Sequence, residues 1–268
     1  MSKIDIKASK SEASEYKPCI NNGFIDVCVP PCSHGTHFLT VRPKSVVVLT
    51  TGLYFEIPLG YFGKIEPLTA YARLGLVILG GILDSDYRGE IKVLCSNVST
   101  SDIILNIGDL FARIIIFPYM TVDIQYVKTL STTARGASGF GSTSINMFKN
   151  PTVSSTCKLT RGTEGSCGYD IEYTGKDLII SNKVTELDLG CSFFIPDGYI
   201  GLFEARSSLG LKGLKLIVNS FDLTKGKNII LYCFSASSDI FIKTGTRFAQ
   251  LILVPKATNG VLQKCQRG

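Results

Sequence analysis

Short apolar runs recur along the chain, each closed by Gly, Asp, Asn or Pro. SVVVLTT (45–51), EIKVLCSN (90–97), RIIIFPY (113–119), KNIILYCFS (227–235) and AQLILVP (249–255) are the clearest. They are rich in Val, Ile, Leu, Phe and Tyr, which suit a pleated, half-buried surface, and they are too short for core helices. No long stretch keeps a helical period. The pattern predicts an all-β chain of short strands, with one helical turn near Leu209 to Lys212.

The chain also repeats itself. GLYFEIPLGYFGKIE (52–66) aligns with GCSFFIPDGYIGLFE (190–204), so that Ile57, Pro58, Gly60, Tyr61, Gly63 and Glu66 fall on Ile195, Pro196, Gly198, Tyr199, Gly201 and Glu204. The same offset carries Gly75–Leu76 onto Gly213–Leu214, Asp84 onto Asp222 and Cys95 onto Cys233. After a slip of one residue, GDLFARIIIFPY (108–119) matches GTRFAQLILVPK (245–256). Two copies of one β-unit, each of about 120 residues, are within the usual domain size. The expected layout is an N-terminal extension at 1–40, partly disordered, a first unit at 41–130 and a mobile Gly-rich arm at 131–150. A Ser/Thr/Gly-rich linker at 151–165, a second unit at 166–256 and a tail at 257–268 follow.

The copies differ where chemistry would sit. The first has DxxYxG over Asp84, Tyr87 and Gly89, where the second has Asp222, Lys225 and Lys227. The second has EARSSLGLKG (204–213), where the first has EPLTAYARLG (66–75) and no Arg-Ser pair. Arg247 and Gln250 of the second stand at Leu110 and Arg113 of the first. Each copy holds what the other lacks.

This partition resembles the dUTPase family (deoxyuridine triphosphate nucleotidohydrolases), in its tandem, herpesvirus-like monomeric form. Five motifs carry the resemblance: CGYDIE (167–172), ARSSLG (205–210), GGILDSDYRGE (80–90), GTRFAQLI (245–252) and RGASGFGSTS (135–144). Two features depart from the family pattern. The 135–144 motif lies between the copies and not at the far C-terminus, and Thr246 stands where the family usually has Asp. The resemblance implies two tandem dUTPase-like β-barrel or jelly-roll units packed together. It also implies Mg2+-dependent hydrolysis of dUTP to dUMP and pyrophosphate by water attack on the α-phosphorus, at one composite site per monomeric chain. Such a reaction lowers dUTP and supplies dUMP for dTTP synthesis.

The resemblance also assigns roles. Gly80, Gly81 and Ile82 would form a hairpin that reads the uracil edge with backbone groups, the missing Cβ atoms allowing close approach. Tyr87 would lie under the deoxyribose and exclude a 2′-hydroxyl. Asp84 would orient and deprotonate the attacking water. Arg206, Ser207, Ser208 and Gln250 would hold phosphate oxygens. Asp170 would grip Mg2+ through water. In the arm, Phe140 would stack on the base while Arg135, Ser142 and Thr143 meet the phosphates. Plainer readings exist for each group. Asp84-Ser85-Asp86 is also a good turn, Arg206 could pair with Glu204 along one strand, Asp170 could end a strand, and the arm could be a flexible linker, though a linker has little use for a lone Phe.

Composition narrows the field. The formal charge is +6, spread without a Lys/Arg block, so nothing marks a nucleic-acid polymer as partner, and a small anion fits equally well. The apolar run Leu74 to Leu83 is about half a membrane span. The N-terminal MSKIDIKASKSEASEYK lacks the apolar stretch of a signal peptide. The nine cysteines are scattered, without CxxC, and read as reduced thiols of an intracellular protein. Cys28, Cys32, His34 and His37 suit zinc in type but not in spacing, and a turn before the first strong strand is the alternative. Two other functions remain open: a dUTPase-shaped protein that binds a host protein, and a dCTP deaminase, which would not be expected to pair DxxYxG with an RGxxGFG arm.

Overall fold

The computed structural model describes residues 6–10, 19–21, 24–31, 37–126, 152–195, 198–218, 220–221 and 227–256. Strands make up the larger part of these residues, and turns and short connections most of the rest. Two four-residue helices, Thr69–Ala72 and Ser207–Gly210, occupy the same place in the repeat, so the expected helical turn has a twin in the first unit. Each unit is a set of open, jelly-roll-type sheets, and among the described residues no closed barrel forms.

One five-stranded sheet shows the repeat most clearly. In the first unit its order is Cys19–Asn21, Phe24–Cys28, Leu110–Pro118, Tyr61–Pro67, Ile82–Leu83. In the second it is Leu159–Thr160, Gly168–Glu172, Arg247–Pro255, Tyr199–Ala205, Ser220–Phe221. Even the bulges correspond: the register slips between Leu110 and Ala112 in one unit and next to Arg247 in the other. The residue squeezed out, Phe111 or Phe248, is fully buried in its own core.

Two expected boundaries move. The first unit does not begin at residue 41. Phe24–Cys28 is an interior strand of its sheet, and Ile25, Val27 and Val29 are buried in its core. The constant-offset alignment missed this strand because the connection after it differs in length between the copies. The stretch 151–165 is not a free linker either. Thr152–Ser155 pairs with Thr185–Phe194, and Val153, Ser155 and Leu159 are buried. On its other side Thr152–Ser155 pairs in parallel with Asp123–Tyr126. The last described strand of the first half therefore joins the sheet of the second.

Each unit has its own apolar core, and a third cluster lies between them. Phe62, Ile82, Phe117 and Tyr119 from the first unit meet Cys167, Leu202, Ile252 and Val254 from the second. Phe62 stacks on Phe117 with centroids 5.7 Å apart and meets Tyr119 edge-on at 6.5 Å. The Met120 amide donates to Leu253 O across the junction at 3.1 Å. Lys64 reaches both Glu66, at 2.6 Å, and the buried Glu204 of the other unit, at 3.2 Å. Burial outweighs pairing on Glu204 and raises its pKa. On Lys64 burial works against the charged form, but the two carboxylates more than offset it. The buried thiols of Cys95 and Cys233 are both pushed up to about 12 by burial, as expected of core cysteines.

Candidate active site

The junction leaves a polar cleft of about 160 Å3. Gly80, Gly81, Ile82 and Asp84 line it from the first unit, and Gly162, Ser166, Gly168, Asp170, Ala205, Arg206, Ser207 and Gln250 from the second. Neither unit encloses it alone.

The first unit's wall is a glycine bend. Gly80 (φ +66°) and Gly81 (φ +84°) both sit in the left-handed region, which side chains with a Cβ rarely adopt. A Cβ on Gly81 would also come within 3.0 Å of Ile65 O. The helix Ser207–Gly210 abuts this bend, and a Cβ on Gly210 would lie 3.2 Å from the Gly80 nitrogen. Glycines from both copies thus let the two backbones touch.

Asp84 follows the bend and is half-buried; its Oδ1 accepts from the Cys167 amide of the other unit at 2.8 Å. Asp170 is buried in Gly168–Glu172, directly opposite Gln250 on one neighbouring strand. Its Oδ2 accepts from Arg206 and lies 3.6 Å from Arg247. Burial and the Arg247 charge lower the pKa of Arg206, while Asp84 raises it. Asp84 and Arg206 line the cleft from opposite units. Arg206 pairs with Asp170 and Glu204 with Lys64, which replaces the alternative of an Arg206–Glu204 pair along the strand.

Other expected residues stand elsewhere. Tyr87 is 42% exposed and does not line the cleft. Its hydroxyl donates to Glu90 O at 2.7 Å, and its ring covers Gly89 so closely that a Cβ there would lie 2.5 Å from the phenolic oxygen. The glycine of DxxYxG thus makes room for the tyrosine. Ser208 is exposed on the helix, away from the cleft lining. Arg135, Phe140, Ser142 and Thr143 lie outside the described residues, as do Cys32 and His34 of the Cys/His cluster. Among the described residues no three His, Cys, Asp or Glu side chains gather as a metal cluster. Gly162, Ser166 and Gly168 line the cleft although none was an expected site residue; Gly162 lies in the expected linker and Ser166 just after it, where the Ser/Gly content was the only sequence signal.

The first unit's counterpart of this arrangement is closed. Asp26 takes the place of Asp170, and Arg113 takes the place of Gln250. Arg113 binds Asp26 through two nitrogens, at 2.6 and 3.0 Å, and lies 4.6 Å above the Phe24 ring. The position of Arg206 is held by Leu68.

A two-unit all-β protein with one polar, carboxylate-bearing cleft shared between its repeats is the class that fold and cleft define. The family profile described as dUTPase matches residues 35–144 and 156–267. The deoxyuridine 5'-triphosphate nucleotidohydrolase of Sinorhizobium medicae (strain WSM419) is 40% identical over 111 residues, which is 40% of this chain and 69% of that protein. The protein of the same name from Paramecium bursaria Chlorella virus 1 is 40% identical over 100 residues, 37% of this chain and 71% of the viral one. The solved EIAV dUTPase aligns with 42% of this chain and 88% of its own at 28% identity, with a TM-score of 0.36. The chain belongs to the dUTPase family, and it carries the family unit twice.

Proposed function

We propose that the chain is a dUTP diphosphatase with one composite site, acting as a monomer. The observation that carries this reading is the shared cleft, where Asp84 of one unit and Asp170, Arg206, Ser207 and Gln250 of the other converge. The names of the relatives supply the substrate. A water held by Asp84 would attack the α-phosphorus, and the bond to the oxygen bridging the α- and β-phosphorus would break. Pyrophosphate leaves and the water's proton passes to the carboxylate. The left-handed bend at Gly80–Gly81 supports close approach of a planar base to backbone donors and acceptors, whose unmet polar groups would reject the wrong base. Tyr87, three residues beyond Asp84, would exclude a ribose.

Mg2+ fits the donor chemistry of the cleft. Asp170 offers a hard oxygen beside the proposed phosphate donors, and a carboxylate that shares the ion with waters and phosphates is the usual Mg2+ arrangement. When bound, the metal would neutralise phosphate charge. Asp170 would hold it through water, while Arg206 and Ser207 take phosphate oxygens.

Incubation with dUTP, dCTP, UTP and Mg2+ in 18O-labelled water, followed by mass spectrometry, tests the reading. The expected outcome is label in dUMP and none in pyrophosphate, with dCTP and UTP untouched and a solution mass of one chain. A deaminated product, or no turnover, would overturn it. Arg206→Ala is expected to raise KM for dUTP by about tenfold to a hundredfold, the loss of a hydrogen bond to a charged group, and steady-state kinetics would show it.

A further inference from the structure

The segment Arg161–Cys167 of the second unit lies outside the catalytic roles assigned above, apart from the Cys167 amide. It meets Asp84-Ser85-Asp86 rung by rung. The Thr163 hydroxyl donates to Asp86 Oδ2 at 2.5 Å, the buried Ser85 hydroxyl donates to Gly165 O at 2.9 Å, and the Cys167 amide donates to Asp84 Oδ1 at 2.8 Å. The approach is as close as a backbone permits. A Cβ on Gly165 would lie 2.3 Å from the Cβ of Asp86.

The segment is itself braced. Arg161 donates to Ser166 O at 2.7 Å, to Glu164 O at 2.6 Å and to the Tyr119 hydroxyl of the first unit at 3.3 Å. Thr163 and Ser166 exchange bonds: each side-chain oxygen accepts from the other's amide at 3.1 Å, and the two oxygens lie 2.8 Å apart. Thr163 is therefore tied to the loop at one end and to the hairpin at the other. A carboxylate with one oxygen fixed by a rigid backbone donor presents the other in a set direction, which is what a general base requires.

We infer that this loop is the positioning device for Asp84, with Thr163 as its positioning residue. The inference rests on the reading of Asp84 as the base. It also explains why a base carried by one unit would work only with the other unit docked: the bonds that aim it come from across the junction.

The test is a double-mutant cycle on the full chain with dUTP. Thr163→Val keeps the side-chain shape and removes the hydroxyl, both as donor to Asp86 and as acceptor from the Ser166 amide. It is expected to lower kcat by about tenfold to a hundredfold, as a misplaced catalytic group does, with KM within about threefold. Thr163→Ser should restore kcat. In an Asp84→Asn background, Thr163→Val should have no further effect on the residual rate, because it acts through that carboxylate. Asp86→Ala should reproduce the loss and Asp86→Asn, which keeps an acceptor, should not. This pair keeps the test open if Thr163→Val does not fold. An unchanged kcat in Thr163→Val and Asp86→Ala, or an equal loss with and without Asp84, would overturn the inference. Wild-type turnover and the Asp84→Asn loss, measured in the same series, judge the functional reading separately.

Discussion

Asp84→Asn is expected to lose turnover by about a hundredfold to ten-thousandfold, the usual contribution of a positioned general base, while the fold and nucleotide affinity persist. The reason lies in how Asp84 is held. Its Oδ1 accepts from the Cys167 amide, and an asparagine carbonyl oxygen can accept the same bond. The neighbouring ties through Ser85 and Asp86 are untouched. What disappears is basicity, because a carboxamide does not take a proton near neutral pH. Losing a negative charge in a cleft meant for phosphates should leave binding equal or tighter. Pyrophosphate release gives kcat, and calorimetry with a non-hydrolysable dUTP analogue gives affinity. Unchanged turnover would refute the role of Asp84.

Phe62→Ala is expected to destabilise the protein by about 3–5 kcal/mol, the usual cost of emptying a large aromatic site. Phe62 is fully buried, yet it belongs to neither unit's own core. Its neighbours are Phe117 and Tyr119 on one side and the Cys167, Ile252 and Val254 group on the other. The cavity therefore opens where the halves meet, not inside one of them. Turnover should fall as well, since Asp84 and Arg206 share the cleft only while the halves stay docked. Urea unfolding would show a lower midpoint for the whole chain. Wild-type stability and activity together would mean that the junction does not organise the cleft.

The repeat was legible because strands in both copies need the same Gly, Pro and apolar positions, and these survive at a constant spacing. Gly80–Gly81, Arg206, Ser207 and Gln250 stood out because they break the repeat, Asp84 because only one copy keeps its DxxYxG motif, and Asp170 through the CGYDIE motif alone. Phe24–Cys28 was not legible, since a connection of different length hides it from a fixed-offset comparison. Nor was the segment Arg161–Cys167. Its Gly, Ser and Thr content is that of any connector, and only its contacts with residues 84–86 set it apart. The motif also said nothing of where the Tyr87 ring stands, because its place over Gly89 depends on the hairpin's local turn.

By itself, then, the sequence determined the strand pattern, the duplication and the division of unlike polar groups between the copies. These are local properties: side-chain shape, backbone freedom at glycine, and spacing along one chain. Only the tertiary structure decided that the two sets of groups face one cleft, that Asp170 is neutralised by Arg206 while Asp26 is closed off by Arg113, and that the loop before one motif holds the carboxylate of another. Those outcomes depend on how two surfaces dock. Docking is governed by the shape and burial of residues far apart in the chain, which no local pattern encodes.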